Sequence, residues 1–251
     1  VLSLKGQVSR VVQSARATEV NPNLQRLIAL HTALALYGTS YTPDPSSPYR
    51  QGDQLAIDYI QFPRQTLVYK AGDCDDLSIL YCAVLESFSI PTAMVLVPGH
   101  IFIAVNLQMP VLDARSQFPR AEDLIFREDQ TWLPFEVTSI SDGFMEAWQT
   151  GAREWRENVA REQVIFVETQ EAQRKYEAVG LPSSEQGVAL PDTQEMLAAY
   201  DKELTAFVDQ TIYTQVAAIQ GRISTSGRQP NLVNRLAVLY ARYGLYDRAR
   251  A

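Results

Sequence analysis

The sequence predicts an α+β protein, with helices packed on a short, mainly antiparallel sheet up to about residue 182 and an all-helical extension after it. Three observations predict this. Apolar residues recur at helical spacing in 2–17, 23–37, 74–88 and 142–161. Short strand-like runs at 92–97, 100–107, 131–138 and 164–167 lie close together between those helices. Beyond Pro191 only helical periodicity remains. At 251 residues the chain has room for one large domain, or one domain plus an appendage. Its 46% apolar and 20% charged composition excludes wholesale disorder. No apolar run approaches the ~20 residues that a membrane span needs.

Taken in order, the first two helices are separated by Asn21-Pro22-Asn23, and Gly38 stops the second. Residues 39–53 hold Pro43, Pro45, Pro48 and Gly52 and read as a loop. Asp53 is expected to cap a short helix ending near Ile60, and a short irregular piece is expected from Pro63 to Gly72. The helix over 74–88 has the clearest pattern, because Leu77, Leu80, Tyr81, Val84, Leu85 and Phe88 form one unbroken stripe. Ser89-Ile90-Pro91 ends it, and Pro98-Gly99 joins the next two strands. Phe144, Trp148, Trp155 and Val159 mark the buried side of the helix over 142–161. Thr169 caps a helix running to Val179, and Gly180-Leu181-Pro182 stops it. A linker is expected over 183–191, then helices over 192–220 and 231–243. The expected domains are therefore 1–182 and 183–251.

The net charge is −7, and residues 71–140 alone carry −7. A nucleic-acid binder shows a basic patch. The only basic run is the spaced arginines of the tail, which read as a solvated helix face, so nucleic acid is not expected as a partner. Cys74 and Cys82 lie eight residues apart, ~12 Å along a helix axis, beyond the ~7 Å that a disulfide spans. Two cysteines with His31 and His100 are too few for a protein-only zinc site. His31 lies within an apolar helical pattern and reads as a core histidine. No Gly-rich phosphate loop is present. The chain opens on valine with no signal pattern, which reads as processed or excised.

The stretch Gly72-Asp73-Cys74-Asp75-Asp76 puts a cysteine on the first turn of a well-patterned helix. A helix N-terminus favours thiolate and leaves backbone N–H groups to stabilise an oxyanion. The flanking carboxylates oppose the thiolate, so a basic partner is required. His100 opens a strand on which His100, Phe102 and Ala104 share a face. Cys with His is the arrangement of an activated nucleophile. An acid must orient the imidazole. In Trp132-Leu133-Pro134-Phe135-Glu136-Val137-Thr138, Glu136 shares a face with Trp132, Pro134 and Thr138. Asp113 competes for the role, but capping of a helix start explains it. Cys82, inside the apolar helix, reads as structural.

These three motifs, in this order over residues 55–140, resemble the core of the transglutaminase-like superfamily, and most of all the bacterial transglutaminase-like cysteine proteinases. The resemblance implies a papain-like core in which a helix bears the cysteine and an antiparallel sheet bears the histidine and the acid. It implies a thiol-dependent amide-bond enzyme, a peptidase, amidase or transglutaminase acting on protein or peptide through a thioester, with Cys74, His100 and Glu136 as the triad. The family's acid is usually aspartate. The resemblance also raises calcium at Asp73 and Asp75, against which stands their reading as helix caps. It points to the cell envelope or periplasm as the compartment. Asn234-Arg235-Leu236-Ala237, Tyr240-Ala241-Arg242, Gly244, Tyr246 and Ala249 resemble part of a tetratricopeptide repeat, which implies a protein partner and further repeats beyond Ala251. The alternative function is a catalytically silent domain that presents a peptide-binding or scaffold surface.

Overall fold

Helix α2 (Pro22–Tyr37) is apolar around its whole circumference, and such a helix must be covered on every side. Leu24, Leu27, Ile28, Leu30, Ala33 and Leu34 are all buried. The Asn21 side chain accepts the Asn23 and Leu24 N–H groups at its start. The computed structural model describes residues 1–14, 19–43, 59–177, 179–181 and 188–251. Around α2 lie α1 (Leu2–Ser14), strand β1 (Ser40–Tyr41), α3 (Pro63–Tyr69), β2 (Ala71–Gly72) and α4 (Cys74–Ser87). β1 and β2 pair in parallel.

The main sheet follows, with β3 (Thr92–Val97), β4 (His100–Pro110), β5 (Ile125–Arg127), β6 (Gln130–Phe135) and β7 (Ile165–Glu168). Its strand order is β5-β6-β4-β3-β7, with every neighbour antiparallel. Alternation gives the sheet two different faces. Ile103, Val105, Leu133 and Phe135 join α1, α2 and α4 in the main core. Ala93, Val95, Phe102, Ala104, Ile125 and Trp132 form a second, smaller core on the other face. The sheet curls around this smaller core. The Arg127 guanidinium of β5 lies 4.5 Å from the ring centre of Phe166 on β7, at the opposite edge. Trp132 meets the same ring edge-on at 5.3 Å.

Helix α5 (Val111–Gln117) and a 3-10 turn connect β4 to β5, and α6 (Phe144–Val159) follows β6. Helices α7 (Thr169–Lys175), α8 (Thr193–Ser226), α9 (Pro230–Arg242) and α10 (Tyr246–Arg250) complete the described chain. The mixed α+β class with an antiparallel sheet is as expected. The cut expected at 183 does not divide the apolar core: Met196, Tyr200, Leu204, Phe207, Val208 and Ile212 of α8 are buried in the same cluster as α2. The apolar side of α8 packs against α2.

Some elements differ from expectation. The piece from Pro63 is a helix, because Pro63 occupies its first turn and the Gln65 side chain bonds back to the Phe62 N–H. The strand expected over 131–138 ends at Phe135, because the Glu136 N–H bonds to the Ala147 carbonyl of α6 at 3.0 Å. α7 stops at Lys175, and α8 runs on to Ser226. The helix expected from Asp53, the last residues of the first helix and most of the 183–191 linker lie outside the described residues.

Candidate active site

Cys74 is the first residue of α4. Asp73 caps the helix by accepting the Asp76 N–H at 3.3 Å, and the Asp76 carboxyl faces the Asp73 N–H at 3.4 Å in return. Asp76 is further clamped by Gln61, whose backbone N–H and side-chain amide each donate to it at 2.6 Å. Gly72 is required here, since a Cβ on it would lie 2.7 Å from the Asp76 Cβ. The turn carrying the thiol is therefore fixed from both sides. Burial, aided by the charge of Asp73, holds the Asp76 carboxyl above the usual carboxylate range, although the Gln61 bonds oppose the shift. Cys74 is partly exposed, whereas Cys82 is buried on the same helix. Burial pushes the Cys82 thiol up to about 11, against hydrogen bonds with Thr92 and Thr169.

His100 starts β4, opposite Val97 across the two-residue turn. Its Nε2 lies 2.6 Å from Glu136 Oε2. The register explains the meeting. Ala104 pairs with Pro134 and Ile103 with Phe135. One step further sets Phe102 opposite Glu136, so His100 is its diagonal neighbour on the same face. Diagonal Cβ atoms are ~7–8 Å apart, within the reach of long side chains. Glutamate's extra methylene suits that span. The other carboxylate oxygen, Oε1, accepts the Thr138 N–H at 2.8 Å and the Thr138 hydroxyl at 2.6 Å. Glu136 is almost wholly buried, while the His100 side chain is 27% exposed.

His100 and Cys74 line the same cleft. With Nε2 held by Glu136, Nδ1 is the nitrogen left for sulfur. Burial, the largest single influence on His100, opposes its charge. Its interactions with Cys74 and Glu136 outweigh it, and together they lift the imidazole to about 10. Phe102, fully buried, stacks on the imidazole with ring centres 6.3 Å apart.

Of the residues singled out from sequence, the structure brings Cys74, His100 and Glu136 together. Asp113 lies exposed in the first turn of α5 and makes no contact of this kind. His31 is a core residue, with its Nδ1 2.9 Å from the Tyr81 hydroxyl, and burial lowers it to about 3. The carboxylates of Asp73, Asp75 and Asp76 approach within 4.8 Å of one another. Asp73 and Asp76 are turned toward N–H donors, as caps of a helix terminus are.

Sequence reasoning missed four participants. Gln61 clamps the cysteine turn, and Thr138 fixes the glutamate; the Glu-x-Thr spacing was its only signal. Gly151 lets α6 lie against β6, since a Cβ there would meet the Phe135 nitrogen at 2.7 Å. The fourth is the turn over 162–165. With Leu96–Ile101 and residues 73–75 it walls a largely apolar cleft of about 520 Å³ that opens on Cys74 and His100. Comparisons with protein-family models, with curated proteins and with solved structures gave no match.

Proposed function

We propose that the protein is a thiol-dependent amide-bond enzyme whose triad is Cys74, His100 and Glu136. The observation that carries the reading is the imidazole of His100, held at 2.6 Å by a buried carboxylate and lining one cleft with a helix-terminal cysteine. In this reading His100 takes the Cys74 thiol proton and the thiolate sulfur attacks the amide carbonyl carbon. Backbone N–H groups of the first turn of α4, outside the i→i−4 ladder, stabilise the oxyanion. His100 gives its proton to the leaving nitrogen as the C–N bond breaks, and a thioester remains. Water, deprotonated by His100, then attacks the thioester and releases an acid and the free thiol. Glu136 holds the imidazole in orientation throughout and stabilises its charge. An amine in place of water would give transamidation through the same thioester. The cleft beside Cys74 opens to solvent, which favours hydrolysis.

The family reading belongs here as well. A helix bearing the cysteine, packed on an antiparallel sheet bearing histidine and acid, supports a papain-like, transglutaminase-like core. The α9–α10 pair, turning at Gly244, supports the reading of the tail as part of a tetratricopeptide-like repeat that recruits a protein. The test is alkylation by iodoacetamide at neutral pH, followed by peptide mapping. The expected result is modification of Cys74 well ahead of Cys82 and parallel loss of amide hydrolysis on a peptide library. Equal, slow modification of both cysteines would overturn it.

A further inference from the structure

The cleft at Cys74 does not end at its own wall. The turn that forms this wall, Glu162 to Ile165, also lines a second, open groove of about 630 Å³ on its far side. That groove is floored by Trp155 and Val159 of α6 and by Phe166 of β7, with Arg127 at its margin. Its surface is apolar yet exposed: Ile165 is 63% and Val159 44% accessible. A contiguous apolar surface left open beside a site calls for an occupant.

The groove also lies at the gap in the curled sheet. β5 and β7 are the two edge strands. Arg127 and Trp155 reach across to Phe166, with ring centres of Trp155 and Phe166 6.1 Å apart, but no described strand pairs with the outer side of β7. An unpaired edge is a template for an extended chain. The shared wall is also rigid. Glu162 is held in the left-handed region at φ 57°. Its N–H bonds to the Val159 carbonyl at 3.0 Å, and the Gln163 N–H bonds to that of buried Asn158 at 2.9 Å. Both grooves are therefore formed before anything binds.

We propose that the substrate is an extended polypeptide that continues from the Cys74 cleft over Val164 and Ile165 and seats a large apolar side chain in the second groove, against Trp155, Val159 and Phe166. This rests on the thiol-enzyme reading and names the substrate class for that site. Continuity of the two grooves through one wall selects a single chain as occupant. The apolar floor selects aromatic or branched aliphatic side chains.

The experiment compares two reagents on the full chain. One is iodoacetamide. The other is a set of peptides with an internal Michael acceptor and five residues on each side, scanned with Phe and Leu. The thiolate adds to the β-carbon, the C=C π bond opens, and the α-carbon takes the proton from His100. The expected result is about tenfold faster labelling of Cys74 when one register position is Phe or Leu. Val159→Glu and Trp155→Ala should each remove that acceleration while leaving the iodoacetamide rate unchanged, since neither residue lines the Cys74 cleft. Val159 is exposed, so its variant tests the groove even where Trp155→Ala disturbs folding. If iodoacetamide selects Cys74 but the long peptides show no position dependence, or the dependence survives Val159→Glu, the groove proposal is overturned and the thiol reading stands. If neither reagent selects Cys74 over Cys82, the thiol reading falls and the groove proposal falls with it.

Discussion

The two cysteines of α4 stand two turns apart on one helix and in opposite surroundings. Cys74 occupies the capped first turn beside a charged imidazole and an open cleft. Cys82 is sealed between the helix and Thr92 and Thr169, where burial pushes its thiol up to about 11. Residue type is the same, so the contrast isolates environment. A helix end offers unpaired N–H groups and an approach from solvent, whereas the middle offers neither. One amphipathic segment can therefore supply both a thiol open to a cleft and a piece of core.

The contrast can be broken most sharply by exchanging the thiols for methyl groups. Cys74→Ala is expected to lower amide hydrolysis at least about a thousandfold and to leave the fold intact, as read by circular dichroism. Cys82→Ala should leave turnover near its original value. Comparable loss in both variants would mean that activity follows packing.

Glu136→Gln should act next most strongly, with a rate loss of about 10²–10⁴. It removes the charge but keeps the size, so His100 should titrate well below its present value of about 10. NMR of the imidazole checks this directly. The same bond shapes stability against pH. The folded value of His100 is raised above its ordinary 6.5, so the imidazolium's contribution is fully present below pH 6.5. It is lost as pH rises through about 10. Denaturant midpoints measured across that window should fall in the parent protein and fall much less in Glu136→Gln.

Gly151→Ala should cost about 1–3 kcal/mol of stability by pushing α6 off the β6 backbone. Because α6 also receives the Glu136 N–H, a rate loss with no change in the intrinsic alkylation of Cys82 should accompany it. The smallest effect is expected from Cys82→Ser, about 1 kcal/mol or less in stability, because Thr92 and Thr169 can hydrogen-bond the hydroxyl. Thermal melting reads both.

Much of this was legible in the chain. The stripe from Leu77 to Phe88 marked α4, and Gly-Asp-Cys-Asp-Asp put a cysteine on its first turn. Period two set His100 on a face with Phe102 and Ala104, and Glu136 on a face with Trp132, Pro134 and Thr138. The remainder depends on tertiary contacts that no local pattern carries. β6 stops at Phe135 because α6 captures the next N–H. Gly151 lies within a helix and looks there like a simple loss of propensity; its reason is the backbone of another element. The boundary expected at 183 rested on the composition of the linker, and composition says nothing of what the next helix packs against; periodicity likewise says which face is buried and not against what. The wall over 162–165 lacks any motif, since its role comes from where the turn lands.

The pairing of β4 with β6 runs in register from Ile103 to Asn106 and then slips before Pro110. The slip absorbs two extra residues on β4, with Gln108 in the left-handed region at φ 49°. It lies on the far side of the register from His100 and Glu136. Insertions or deletions beyond Asn106 can therefore be taken up at the irregularity while the pair that joins histidine to glutamate stays aligned. A lineage could lengthen or shorten the irregularity between Asn106 and Pro110 and leave the histidine–glutamate pair aligned, which makes that short stretch the natural place for descendants of this sequence to diverge.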